Sequence, residues 1–139
     1  MLAIDQLFKS GDVTPITVWL DGMISEATAI HASHPDYLNR DLRKQVLRGG
    51  EENPFNSPWF KQVDSREQRE SILNDPSPCI VLATSGMMTG GPIMEYFKNW
   101  APELNNTLCF VGYQASGTMG RRLQSVSYTH LTLPTTYTV

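Results

Sequence analysis

The chain has 139 residues, enough for one domain with a core of its own. It is 40% hydrophobic and 18% charged with a formal net charge of −3, so no whole-chain basic field draws it to nucleic acid, and any basic patch is local. Its two cysteines, Cys79 and Cys109, each sit in an apolar run and fit free core thiols of a reducing compartment better than a disulfide framework. No apolar run is long enough to span a membrane, and "MLAIDQLFKSGD" lacks the basic start of a signal peptide, so the expected location is the cytoplasm.

In chain order, Leu2–Ser10 reads as an amphipathic helix stopped by Gly11. It has no capping residue ahead of Leu2, which suggests a helix that begins upstream. "ITVWL", Ile16 to Leu20, is a β-branched apolar strand. Asp21-Gly22 turns into a helix over about Met23–Ser33, closed by Pro35, and "DYLNRDLRKQVL" from Asp36 to Leu47 reads as another. Gly49–Pro58 is a loop and Trp59–Val63 a short strand. Asp64 and Glu67, at capping-box spacing, open the helix "REQRESIL". After "NDPSP" come the strand "CIVLAT", a helix over Gly91–Trp100, the strand "LCFVGY" over Leu108–Tyr113, and a last helix from near Gly117 that takes in Arg121, Arg122 and Leu123. Strands alternate with helices and are continuous apolar runs, which predicts an α/β fold: a doubly wound, mostly parallel sheet with helices on both faces. Trp19, Trp59, Trp100 and Phe97 are expected in the core.

The character changes at the C-terminus. "VSYTHLTLPTTYTV", Val126 to Val139, is rich in threonine, has no Asp, Glu, Lys or Arg, and shows no period. It resembles the translation of a transposon-type sequencing adapter in frame, length and stop. Residues 1–124 are therefore taken as the domain, a truncated fragment, and 125–139 as a non-native tail outside it.

Chemistry is expected in the loops that follow strands, since open parallel sheets bind ligands beyond the carboxyl ends of their strands. Three such loops are visible: Asp21-Gly22, "LATSGMMTGGP" from Leu82 to Pro92, and "VGYQASGTMGRR" from Val111 to Arg122. Turns of Gly, Ser and Thr let backbone N–H groups converge on an anion at the positive end of a helix. Ser85 and Thr118 offer hydroxyl donors. Gly86, Gly90, Gly91, Gly117 and Gly120 permit close backbone approach, and Pro92 suits a first helical turn. The same glycines equally suit tight turns and helix–sheet packing. Neither a P-loop nor the G-x-G-x-x-G spacing is present. Arg121 and Arg122 tilt the last loop toward phosphate, or else decorate a surface. His31 and His34, at i and i+3, could hold a metal but find no third ligand beyond Asp36, and so read as exposed or capping histidines. His130 belongs to the tail. Tyr113 offers a weak stacking surface for a base.

Together, "VWLDGMISEATAIHASHPDYLN", "ENPF", "DSREQRESIL", "IVLATSGMMTGGPIMEYFKNWAP" and "FVGYQASGTMGRRLQ" resemble the β-CASP domain. That domain is inserted in metallo-β-lactamase-fold ribonucleases related to the cleavage and polyadenylation endonuclease, and the resemblance is to archaeal and bacterial members. It implies an RNA-processing, 3′-end-cleaving parent in which two zinc ions of the metallo-β-lactamase domain activate a water that attacks an RNA phosphodiester. The β-CASP domain caps the cleft, and RNA enters between the two. By this resemblance Ser85 and Gly86, with Gly90 and Gly91 of the same "ATSGMMTGGP" stretch, fall in the family's block after the strand, and Gly117, Thr118, Arg121 and Arg122 in the second block. These are the expected RNA- or phosphate-binding residues. The family's H-x-H-x-D-H motif and its later histidines are absent, so the chain is expected to hold no catalytic residue, metal ligand or cofactor. Its expected partners are RNA and the metallo-β-lactamase domain of the same polypeptide. Two alternatives stay open: a self-contained doubly wound module for a small phosphorylated ligand, and an interaction domain of a non-catalytic homologue. The loops Thr84–Gly91 and Gln114–Gly120 are expected side by side at the carboxyl edge of one parallel sheet, since both follow apolar strands and precede helices.

Overall fold

A computed structural model describes residues 1–127. Six α-helices and three strands alternate along it. They are α1 (Leu2–Ser10), β1 (Thr17–Asp21), α2 (Ile24–Ser33), α3 (Arg40–Arg48), β2 (Phe60–Gln62), α4 (Arg66–Asn74), β3 (Cys79–Ala83), α5 (Ile93–Trp100) and α6 (Met119–Ser127). The strand order is β2-β1-β3, and β1 pairs with β2 in parallel, Val18 opposite Phe60 and Leu20 opposite Gln62. A parallel neighbour needs a crossover, here supplied by α2 and α3 between β1 and β2. The chain then adds β3 on the other side of β1, so the sheet winds both ways from its central strand, as the alternation of elements predicts.

The chain divides into two compact units, Met1–Ser65 with Pro76–Leu82, and Arg66–Asp75 with the chain from Ala83 onward. The first unit carries the sheet. Its core is Phe8 of α1 with Val18 and Leu20 of β1, and Ile4, Ile16, Ile24, Trp59, Phe60, Ile80 and Leu82 pack around them. Burial of those aliphatic and aromatic side chains is the main favourable term for the unit. Phe8 meets Trp59 edge to face, with centroids 5.5 Å apart. Beside this core a buried carboxylate is held in place: Asp5 of α1 accepts from the Ser57 hydroxyl and pairs with Lys9 Nζ at 2.9 Å. Gly11 ends α1 in the left-handed conformation (φ +80°), as its position after the last turn predicts.

In the second unit α4 and α5 pack together through Arg69 and Glu95, 3.2 Å apart, and through the Trp100 indole N–H, which donates to the Leu73 carbonyl at 3.4 Å. Ile72, Met88, Tyr96 and Phe110 are its buried hydrophobic residues. Trp19, Trp59, Phe97 and Trp100 are half-buried.

Three expectations need correction. The helix expected from Asp36 starts at Arg40 instead. Pro35–Tyr37 is a single 3₁₀ turn, Leu38 is extended, and the Asn39 side chain accepts from Leu42 N–H at 2.9 Å, capping α3. Leu108–Tyr113 is not a strand. A strand is held by ladder bonds to a neighbour, and among the described residues the sheet consists of β2, β1 and β3, without this segment. Phe110 is buried, whereas Val111 is 96% and Tyr113 77% exposed. Cys109 is accordingly an exposed thiol rather than a core one, and Cys79 is half-buried. Gly50–Glu52 adds a 3₁₀ turn to the expected loop after α3.

Candidate functional site

The loop from Thr84 to Gly91 leaves β3 and leads into α5. It is tied mainly to itself. Ser85 N–H donates to Gly90 O (3.2 Å), Met88 N–H to Ser85 O (3.0 Å) and Thr89 N–H to Ser85 Oγ (3.0 Å), while the two hydroxyls of Ser85 and Thr89 lie 2.9 Å apart. Gly91 is required where it stands. Its φ is +77°, and a Cβ there would lie 2.8 Å from the Thr84 carbonyl oxygen, which is itself engaged by Ile93 N–H at 3.1 Å. Met88 also has a positive φ of 55°, with its side chain buried.

The loop from Gln114 to Gly120 opens α6. Thr118 caps that helix: its hydroxyl accepts from Arg121 N–H at 3.2 Å and donates to the Ala115 carbonyl at 2.7 Å. The hydroxyl proton taken by Ala115 is the only one Thr118 has, so in this arrangement its oxygen offers no donor to an anion. Arg121 and Arg122 follow in the first turn, both exposed and without a carboxylate partner among the described residues. Cations at a helix N-terminus oppose the helix dipole, and the two guanidinium groups add their charge to its positive end.

The two loops touch. Gln114 Nε2 donates to the Gly86 carbonyl at 2.9 Å, and Gly120 N–H donates to the Met87 carbonyl at 3.1 Å. Within the second unit the structure thus brings Ser85, Gly86, Gly90 and Gly91 together with Gly117, Thr118, Arg121 and Arg122 along the chain segments these bonds join. The N–H groups of Gly86, Met87, Gly90 and Gly91, and of Ala115, Ser116 and Gly117, donate to no acceptor among the described residues. Free N–H groups and unpaired guanidinium groups are the donor types that a tetrahedral oxyanion takes. The expectation that both loops leave strands of one sheet is corrected: the first leaves β3, but the second leaves the unpaired segment 108–113. Gln114 was not singled out from the sequence. Glutamine is ordinarily a surface residue, and only its position between glycine-rich stretches distinguished it.

Elsewhere, Asp21 is buried at the end of β1 and Gly22 has φ +81°. His31 Nδ1 lies 2.6 Å from the Ala27 carbonyl, and His34 stands at the C-terminal cap of α2 beside the Tyr37 ring. His130 lies outside the described residues, as does most of the Val126–Val139 tail. Among the described residues no group of three or more His, Cys, Asp or Glu side chains is placed to hold a metal ion, so the residues present do not fit the zinc centre that the resemblance implies for a parent protein.

The Beta-Casp domain family matches residues 1–123. The chain is 57% identical over 124 residues to a protein of Methanosarcina mazei named transcription termination factor FttA, covering 89% of this chain and 19% of that protein. Proteins of the same name from Methanocaldococcus jannaschii and Thermococcus kodakarensis are 47% and 44% identical, covering 90% and 89% of this chain and again 19% of theirs. The chain therefore spans about a fifth of the length of the curated relatives it matches. With a match that runs over nearly all of the described residues, and with the parallel α/β sheet the family resemblance implies, the chain belongs to the Beta-Casp domain family.

Proposed function

We propose that this chain is the RNA-binding cap segment of an archaeal-type, zinc-dependent β-CASP ribonuclease acting in RNA 3′-end processing and transcription termination in the cytoplasm. Residues 1–124 are the cap domain, and 125–139 lie outside it. The two zinc ions belong to the metallo-β-lactamase part of the parent polypeptide, and no step of hydrolysis is carried by residues of this chain. Ser85, Gly86, Gly90, Gly91, Gly117, Thr118, Arg121 and Arg122 form the surface that meets the RNA backbone, with Thr118 serving as the helix cap that aims the arginines. The observation that carries this reading is the direct bonding of the two glycine loops, which sets free N–H groups and two unpaired guanidinium groups on one unit.

Fluorescence anisotropy with labelled single-stranded RNA tests it. Binding should be weak and should fall with salt, with a slope of about 0.7 per phosphate contacted. Arg121→Ala with Arg122→Ala should weaken binding to all sequences alike and flatten that slope, because phosphate contacts position rather than specify. A double variant that binds RNA as the parent chain does refutes the reading. Saturable binding of a small nucleotide without RNA binding favours a self-contained phosphate module instead. The purified chain should carry no stoichiometric zinc and cleave no RNA.

A further inference from the structure

We propose that Gln114 is the positioning residue that holds the two glycine loops at one spacing, and that Gly120 lacks a side chain so that Gln114 can do so; the role in phosphate binding rests on the RNA reading above. Gln114 is 3% exposed. Its amide nitrogen donates both protons, to Gly86 O at 2.9 Å and to Gly112 O at 3.1 Å. Both partners are carbonyls, so the amide orientation is fixed: the reverse assignment would set Oε1 against two acceptor oxygens. Oε1 itself is buried and has no hydrogen-bond partner among the described residues. It faces Gly120, where a Cβ would lie 1.8 Å from Oε1, 2.8 Å from Cδ and 3.1 Å from a Phe110 ring carbon. A buried acceptor left unpaired is destabilising, and a leucine would fill the same volume without it. What the amide supplies that leucine would not is the pair of bonds from Nε2.

Those bonds have a directional effect. The Gly86 carbonyl and the Met87 N–H belong to one planar trans peptide. Pinning the carbonyl onto Gln114 turns the Met87 N–H the opposite way, away from the protein amide and free for an anion. The Gly120 N–H bond to the Met87 carbonyl fixes the next peptide and, with it, the first turn of α6 that carries Arg121 and Arg122. Two bonds, one from a side chain and one from the backbone, therefore set the distance between the free N–H groups of the first loop and the arginines of the second.

Gly120→Ala separates this role from mere packing. The atoms its methyl would meet first are the far end of a flexible side chain, so the variant folds by swinging Gln114 aside, losing both Nε2 bonds. Amide hydrogen exchange on the parent chain, Gly120→Ala, Gln114→Leu and the double variant, together with anisotropy on single-stranded RNA, tests the proposal. In each variant the Met88 and Thr89 amides should exchange about tenfold faster or more, the scale of one or two net hydrogen bonds. Amides of α4 should accelerate less than those of the loop, and the thermal midpoint of Gly120→Ala should fall by about as much as that of Gln114→Leu, since both lose the same two bonds. The double variant should be no worse than either single one, because both act through one contact. RNA affinity should fall about tenfold in step. Unchanged loop exchange in both single variants, or effects that multiply in the double, overturns the proposal. If loop exchange accelerates as expected while even the parent chain binds no RNA, the spacing role of Gln114 stands and the RNA reading falls.

Discussion

Removing the Ser57 hydroxyl tests how strongly α1 is anchored to the loop before β2. Ser57 Oγ donates to Asp5 Oδ1, and both residues are at most 3% exposed. Its other contact, to the Pro54 carbonyl at 3.4 Å, is long and weak. A hydrogen bond to a charged group contributes about 1.5–3 kcal/mol net, so Ser57→Ala should cost about 2 kcal/mol. Asp5→Ala should cost a similar amount, since it loses the same bond together with the pairing to Lys9. That second loss is worth only about 0–1 kcal/mol, because the lysine is partly exposed. The double variant removes the bond once, not twice, so the two losses should fall short of additivity by about 1.5–2 kcal/mol. Urea unfolding followed by tryptophan emission is a suitable assay, because Trp59 packs edge to face on Phe8 in the same core. A coupling energy below about 0.5 kcal/mol would show that the pair merely fills space and that the anchoring argument is wrong.

Gly91→Ala should destabilise by about 1–3 kcal/mol, because a positive φ coincides with a carbonyl oxygen that cannot move aside. Gly11→Ala shares the positive φ but meets nothing within 4 Å, so denaturant midpoints should rank it as the milder change. Burial lowers the pKa of the Met1 amine below its ordinary 8.0, opposed by the nearby Asp5 carboxylate. The unfolded chain thus binds more protons than the folded one as pH climbs toward 8.0, so stability should rise through that window and level off above it. Acetylating the amine should abolish that rise in a pH series of melts. Deleting Val126–Val139 should leave the thermal midpoint unchanged or raised, and a large loss in calorimetry would show that these residues belong to the fold.

Much of the architecture was legible because local signals agreed with the global pattern. The β-branched "ITVWL", the helix stop at Gly11 and the apolar run at Cys79 each mark an element that the structure contains within a residue or two. The start of α3 was not legible, because Asp36–Leu47 is helix-permissive throughout and the boundary is set by one Asn39 side-chain bond. Leu108–Tyr113 misled for a different reason. Its residues favour strands, but a strand exists only where a neighbour completes it. In the candidate site, the glycine loops were visible as loops, while the partners of their polar groups were not. The sequence offers Thr118 as a donor to an anion, yet the same hydroxyl has a helix to cap and a carbonyl three residues back to satisfy. Gln114 escaped notice because nothing in a lone glutamine announces burial.

The hydroxyl pair in the first loop has an arithmetic of its own. Ser85 and Thr89 own two protons between them, and one lies in the bond joining their oxygens, where either atom can be the donor. Ser85 Oγ also accepts from Thr89 N–H, which suits both arrangements equally. One proton is therefore always uncommitted, carried by Thr89 when serine gives and by Ser85 when threonine gives. An oxyanion bound at this loop, as proposed above, would draw that proton from either end by a simple reversal of the shared bond. The loop need break none of its internal contacts for that reversal.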